Sequence, residues 1–201
     1  MPLPQSFAAS LPDWLVEELP TLPTHLPTGE ERMALVNRLA DRNWRAGNGG
    51  PFAALVVHAV TGELVSAGVN VVLSSGLSST HAEVTALSLA QVATGGWDLG
   101  ESRDLQLVVN WRPCAMCYGA TVWSGIRHLL IAGSGPECEQ LTGFDEGPVT
   151  RDWAAELERR GISVTEGVLR DEAIAVFAAY GESNSTVYNA RGTGSLRDST
   201  I

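Results

Sequence analysis

Four residues in the middle of the chain have the types and spacing of a catalytic metal site. His81 and Glu83 are separated by one residue, and Cys114 and Cys117 follow further along in the motif Pro-Cys-Ala-Met-Cys. Zinc prefers tetrahedral nitrogen and sulfur ligands, and three protein ligands leave one position for water. A carboxylate that is not a ligand can then carry protons. The pattern predicts one zinc ion per chain, held by His81, Cys114 and Cys117, with Glu83 as the catalytic acid and base.

The elements around these residues must bring them to one point. Cys114 and Cys117 are three positions apart, which places both sulfur atoms on one face of a helix that starts after a proline. The amides and the dipole at a helix start also favour thiolates. His81 and Glu83 can face one site only in the first turn of a helix, which is where the Ser- and Gly-rich loop 70–79 leads. We therefore predict that two helix N-termini meet at the metal.

Each motif alone has a simpler interpretation. A lone Cys-x-x-Cys could be a redox pair or half of a structural zinc site, and Glu83 could be a solvated carboxylate at a helix start. A non-catalytic scaffold stabilised by zinc therefore stays open as an alternative. The third cysteine, Cys138, is predicted to be a small buried hydrophobic residue.

Composition narrows the class of protein. With 201 residues, 44% of them hydrophobic and 18% charged, the chain is long enough for one core. Its net charge is −10 and it contains no lysine, which argues against nucleic acid as a partner. Three cysteines argue against a disulfide framework and for a reducing compartment, so we expect the cytoplasm. No apolar run approaches the length of a membrane span, which predicts no membrane partner.

The order of the elements predicts an α/β fold of one main domain. A Pro-rich N-terminal arm, residues 1–27, precedes the predicted domain 28–181, and a polar Gly- and Ser-rich tail, 182–201, is typical of disorder. The strand-helix-strand unit 104–132 implies a parallel pair with a right-handed crossover. Helices are predicted at 28–46, 81–93, 114–123, 137–141, 149–160 and 171–180, with a short amphipathic segment within 11–19, and strands at 52–60, 63–69, 104–110, 127–132 and 162–164.

Four segments carry a resemblance to a known family: Gly50-Pro51-Phe52, Gly68-Val69-Asn70, the residues from His81 to Ala86, and those from Cys114 to Ala120. They resemble the cytidine deaminase-like superfamily, whose zinc deaminases have the His-x-Glu and Pro-Cys-x-x-Cys signature, and within it the guanine and nucleoside deaminase branch. The similarity covers roughly residues 30–180. It implies a three-layer α/β/α fold with a mixed five-stranded sheet, and a homodimeric, zinc-dependent aminohydrolase of purine metabolism.

The same resemblance implies the residues that bind a small nucleobase or nucleoside. Asn70 would hydrogen-bond the ring, the Ala82 amide would donate to the oxygen that develops on the attacked carbon, and Trp123 would lie against the purine. Phe144 would stack on the base, and the Asp145 carboxylate would accept from its N–H groups. Simpler interpretations remain: Asn70 and Asp145 could be turn residues, and Trp123 a core residue.

Two departures from the family pattern bear on substrate choice. Arg112, preceded by Trp111, occupies the position where the family has a glutamate before Pro-Cys, and the N-terminal arm lies outside the catalytic pattern and could cover a dimer surface. The resemblance further implies, from the aromatic residues in the C-terminal segments of this branch, that Tyr180 or Tyr188 closes the pocket, either of its own chain or of a neighbouring subunit. The leading hypothesis is hydrolytic deamination of a guanine-like purine. Cytosine, an amino-triazine or a modified nucleobase is the alternative substrate, and a tRNA adenosine deaminase is disfavoured by the acidic charge.

Overall fold

A computed structural model describes residues 2–101 and 103–190 of the chain. Its centre is a five-stranded sheet in the order β2-β1-β3-β4-β5, in which β1 pairs antiparallel with β2 and β3, while β3, β4 and β5 run parallel. This mixed sheet confirms the predicted fold class. The strands are β1 (Ala53–His58), β2 (Leu64–Val69), β3 (Leu105–Val109), β4 (His128–Ile131) and β5 (Ser163–Thr165).

Helices cover both faces of the sheet, so the molecule has two hydrophobic cores. The described helices are α1 (Asp13–Glu18), α2 (Gly29–Arg45), α3 (Val72–Ser75), α4 (Ala82–Thr94), α5 (Ala115–Trp123), α6 (Glu137–Thr142), α7 (Trp153–Glu158) and α8 (Arg170–Gly181). Side chains of α1, α2 and α8 form the core on one face, and side chains of α4 and α7 contribute to the core on the other. None of the helices in the described ranges has the length and apolar character needed to span a bilayer.

The helix starts follow the local sequence closely. α2 has the predicted capping box: the Thr28 hydroxyl accepts the Glu31 amide at 3.2 Å, and the Glu31 carboxylate accepts the Thr28 amide at 2.9 Å. Apart from the start of α7, the predicted and observed bounds of these helices and strands differ by at most two residues at each end. α7 begins at Trp153, four residues later than predicted, because residues 149–150 are irregular and residues 151–152 form a turn ahead of it.

Two segments differ from the sequence-based expectation. Residues 70–79 include a one-turn helix, α3, which ends at Gly76 in the left-handed region (φ +69°). Residues 182–190 were expected to be disordered, but they fold back onto the domain, where Val187 and Tyr188 pack against the core. Tertiary contacts to an aromatic cluster, which composition cannot reveal, order this polar stretch. The rest of the tail, 191–201, lies outside the described residues.

The N-terminal arm is extended and exposed only as far as about residue 10. Leu15, Leu22 and Leu26 are buried in the core beside α2. On the surface, Glu18 forms ion pairs with Arg38 and Arg42 of α2, and the Arg42 guanidinium lies 4.5 Å from the ring centre of Trp14. The second half of the arm is thus packed into the domain.

Candidate active site

The start of α4 is held against strand β2 by a glycine. A Cβ atom at Gly68 would lie 2.4 Å from the Ala86 nitrogen and 2.7 Å from the Ala82 oxygen, so only glycine allows this close approach. The hydroxyl of Ser66, two residues earlier, donates to the Ala86 carbonyl at 2.7 Å. These contacts fix the first turns of α4, whose N-cap residue is His81, against β2.

The start of α5 meets the start of α4. Cys114 is the N-cap residue of α5 and Cys117 lies in its first turn. Both sulfur-bearing side chains are buried. His81, Cys114 and Cys117 each offer one ligand atom, and these three atoms lie within 4.8 Å of one another. The predicted meeting of two helix N-termini is confirmed.

The spacing of these atoms suits zinc. The His81 Nδ1 atom lies 3.5 Å from the Cys114 sulfur. Zinc–nitrogen and zinc–sulfur bonds of about 2.0 and 2.3 Å at a tetrahedral angle would separate the two atoms by about 3.5 Å. One nitrogen and two sulfurs are also a donor set that zinc prefers over magnesium or calcium. The residues present therefore fit the metal that the motif predicts.

Electrostatics inside the site favour a thiolate at Cys114. A hydrogen bond from the Cys117 thiol is the main reason why the pKa of Cys114 is lowered to about 4. Burial opposes this shift, while hydrogen bonds from His81 and from the Cys117 amide add to it. The pKa of Cys117 is raised well above its usual range because it keeps the proton of that hydrogen bond and is buried. Burial opposes protonation of His81, yet the contact with Cys114 and the charge of Glu83 raise its pKa. A metal bound here would displace the remaining thiol proton.

Glu83 lies beside the two cysteines and is only 6% exposed. Burial, with the negative charge of Cys114 adding to it, raises the pKa of Glu83 to about 7. A carboxyl group with a pKa close to the ambient pH can both accept and return a proton, which is what an acid-base catalyst needs. The structure thus places a buried carboxyl group with a raised pKa next to the three candidate ligands.

A second buried carboxyl group, Glu146, was missed by the sequence reasoning. It is 8% exposed, and burial, together with the charges of Cys114 and Glu83, raises its pKa to about 8. Its carbonyl accepts the Ala115 amide at 3.0 Å, which ties it to the first turn of α5. The available signal was the acidic pair Asp145-Glu146, and the sequence could not tell which of the two points inward.

Asn70 is buried at the end of β2, and its orientation is determined by three donors. Its Oδ1 atom accepts from the Gly50 amide at 3.4 Å, the Val72 amide at 3.2 Å and the Tyr188 hydroxyl at 2.8 Å. Because two of these donors are backbone amides, the carbonyl end must face them. The Nδ2 group of Asn70 makes no hydrogen bond within the described ranges, so it remains available as a donor.

The other predicted substrate residues are only partly brought together. Ala82 is fully buried in the first turn of α4, where backbone amides have no partner within the helix. Phe144 is buried 4.8 Å from the Tyr188 ring and 5.5 Å from the Tyr180 ring. Asp145 is exposed, and its carboxylate accepts the Gly147 amide at 2.9 Å. Trp123 is 80% exposed at the opposite end of α5, so the structure does not bring it to the site of its own chain.

Trp111 and Arg112, the two residues just before Pro113 and the cysteines, have different surroundings. Trp111 is 1% exposed; its ring packs edge-on against Phe177 at 5.2 Å, and its indole N–H donates to the Gly135 carbonyl at 3.0 Å. It is a core residue. Arg112 is half-buried, its amide donates to Gly133 at 2.8 Å, and its buried Nε atom has no hydrogen-bond partner among residues 2–101 and 103–190.

The fold and the site together define a class of protein. Residues 27–132 match the family model of the cytidine and deoxycytidylate deaminase zinc-binding region. The chain belongs to this family, as the resemblance predicted.

Individual relatives narrow the comparison to one branch. The chain is 31% identical to the guanine deaminase of Bacillus subtilis over 142 residues, which cover 71% of this chain and 86% of that protein. The solved guanine deaminase from Nitrosomonas europaea superposes with a TM-score of 0.83 at 40% identity, covering 90% of this chain and 99% of that one. NE0047 in complex with 2,6-diaminopurine gives a TM-score of 0.84 at 42% identity, covering 93% and 98%. The expected guanine deaminase branch is thereby confirmed.

Proposed function

We propose that this protein catalyses the hydrolytic deamination of a free purine base, guanine or a close analogue, with release of ammonia. The observation that carries the proposal is the convergence of His81, Cys114 and Cys117 with the buried carboxyl group of Glu83. The similarity to guanine deaminases, and the diaminopurine bound by a relative of the same fold, support a purine as the substrate.

The metal in this proposal is zinc, one ion per chain, held by His81, Cys114 and Cys117. Bound zinc supplies Lewis acidity, which brings the pKa of water close to neutrality. Glu83 takes the proton from the water whose oxygen attacks the carbon that bears the amino group. It passes this proton to the adjacent ring nitrogen, and then carries the remaining proton of the newly added hydroxyl group to the departing nitrogen. The carbon–nitrogen bond then breaks, ammonia leaves, and the ring keeps the oxygen.

Two groups are proposed to orient the base. The Nδ2 group of Asn70 donates a hydrogen bond to a ring acceptor, since its carbonyl end is already engaged by three donors. Guanine also carries N–H donors, and we assign Glu146, the buried member of the acidic pair, as the carboxyl group that accepts from them. The positive charge of a zinc ion held by the neighbouring ligands would favour its ionised form. The amide of Ala82, in the first turn of α4, is proposed to donate to the oxygen that develops on the attacked carbon.

A homodimer is proposed on the basis of the apolar surface of α5. Met116 and Trp123 are 39% and 80% exposed and lie seven positions apart, hence on one side of the helix. A second copy would cover them and could carry Trp123 towards the neighbouring site. Light scattering should give a dimer for the native chain and a shift to monomer for Trp123→Ser, while Val60→Ser, at an exposed position in the β1–β2 turn, stays dimeric.

The three free cysteines further suit a reducing compartment, and we assign the cytoplasm.

The test of the proposed function is an ammonia-release screen over guanine, guanosine, 2,6-diaminopurine, adenine, cytosine, cytidine and amino-triazines. We expect the highest kcat/KM for guanine or diaminopurine. Preferred turnover of cytosine or a triazine would replace the proposed substrate, and tRNA binding at physiological salt would revive a tRNA substrate. A zinc-loaded protein that releases ammonia from none of these compounds would favour the scaffold.

A further inference from the structure

Asn189, in the segment that follows α8, forms a two-point contact with the loop that carries Glu146. Its Oδ1 atom accepts the Asp145 amide at 3.0 Å, and its Nδ2 group donates to the Gly143 carbonyl at 2.9 Å. The partners are 44 and 46 positions away in the chain. One side chain therefore clamps the backbone on both sides of Phe144.

The clamped segment leads directly into the candidate site. Gly143 ends α6 in the left-handed region (φ +79°), and three residues later the Glu146 carbonyl accepts the Ala115 amide. The backbone amide of Glu146 donates to the Glu139 carboxylate at 3.4 Å, which is long for a hydrogen bond. The Asn189 clamp thus holds the part of the loop that lies between α6 and Glu146.

The neighbouring residue Tyr188 contacts Asn70, the other side chain that we assign to substrate binding. Its hydroxyl donates to Asn70 and accepts the Gly50 amide at 2.9 Å. Consecutive residues of the C-terminal segment therefore contact Asn70 and the loop that carries Glu146. Because Tyr188 and Asn189 are adjacent in the chain, this segment couples the positions of Asn70 and Glu146, the two groups that we assign to substrate binding.

We infer that Asn189 is a positioning residue for deamination, which sets the Glu146 carboxyl group against the bound base by clamping the Gly143–Asp145 backbone. The inference rests on the proposed function. Asparagine suits the task because a neutral amide offers one acceptor and one donor group to the two backbone partners, whereas aspartate could only accept. A small displacement of an orienting group can cost up to about a hundredfold in rate, so the clamp acts on catalysis more than on stability.

The experiment compares Asn189→Ala and Asn189→Asp with Asn184→Ala, an exposed asparagine of the same segment, in the full-length zinc-loaded protein. We expect kcat for the purine to fall at least about tenfold in Asn189→Ala, less in Asn189→Asp, and not in Asn184→Ala. Tm and zinc content should stay at native values. Hydrogen–deuterium exchange of the amides of residues 143–147 should accelerate only in the Asn189 variants.

A double-mutant cycle separates positioning from a general structural effect. If Asn189 acts through Glu146, Asn189→Ala should lower kcat little further when Glu146→Gln is already present. Fully additive losses, or native exchange and native kcat in Asn189→Ala, would overturn the inference while leaving the proposed function intact. Absence of ammonia release by the native protein would instead overturn the proposed function, and the catalytic part of the inference with it.

Discussion

The Tyr188 hydroxyl donates a 2.8 Å hydrogen bond to Asn70 Oδ1, joining residues 118 positions apart in the chain. Tyr188 is mostly buried, and burial raises its pKa well above the usual range, so the hydroxyl keeps the proton that it donates. The contact leaves the Nδ2 group of Asn70 as the end that can meet a substrate. The C-terminal segment thereby helps to orient a residue at the end of β2.

Replacement of Tyr188 by phenylalanine should weaken substrate binding more than stability. The variant keeps the ring packing on Phe144 and loses one donor to Asn70 and one acceptor for the Gly50 amide. A hydrogen bond contributes about 0.5–1.5 kcal/mol, so we expect KM for the purine to rise roughly 2- to 10-fold with kcat less affected. Steady-state kinetics measure this, with Thr186→Ala, at an exposed position nearby, as the control. An unchanged KM would show that the contact has no role in binding.

Zinc binding should depend on the three candidate ligands and not on Cys138. His81→Ala, Cys114→Ser and Cys117→Ser should each lose bound zinc, measured by elemental analysis of the purified protein, because each removes a donor of the set. Cys138→Ala is the matched control, since Cys138 is buried in the core cluster on the other face of the sheet. Glu83→Gln should keep one zinc per chain and lose turnover by at least about a thousandfold. Turnover that survives in this variant would contradict the assigned role of Glu83.

The neighbouring acids Asp145 and Glu146 should differ sharply in their effect on catalysis. Glu146→Gln preserves shape but removes the buried carboxylate, and we expect kcat/KM to fall about a hundredfold with zinc retained. Asp145→Asn changes an exposed side chain that accepts the Gly147 amide, so its kcat/KM should change less than about threefold. The reverse order of effects would favour Asp145, the residue assigned from the resemblance.

Substitution of Gly68 should disturb the site through the packing of α4. A methyl group there would press on the backbone of α4 at Ala82 and Ala86 and force the helix away from β2. Overpacking of this kind costs about 1–3 kcal/mol, so Gly68→Ala should lower the free energy of unfolding by that amount and reduce zinc occupancy. Urea denaturation and metal analysis test both effects. Gly96→Ala, where an added methyl group meets nothing within 4 Å, should match the native protein.

Local sequence signals were sufficient for most of the fold. The capping box at Thr28 predicted where α2 begins, and the apolar run at 52–60 predicted a strand buried on both faces, observed as β1. Such signals act between residues close in the chain. The packed segment 182–190 was mispredicted because its order comes from contacts with Phe144, Asn70 and Gly143, which lie far away in the sequence.

The sequence by itself was enough to predict the metal and the reaction type, because zinc ligation and proton transfer need particular residue types at spacings that a helix start makes local. His81, Glu83, Cys114 and Cys117 stand out by type and spacing alone. Only the tertiary structure decided that Glu146, and not Asp145, is buried beside them, that Trp123 points away, and that the C-terminal segment contacts Asn70. Side-chain direction and burial depend on long-range packing, which neighbouring residues alone do not specify.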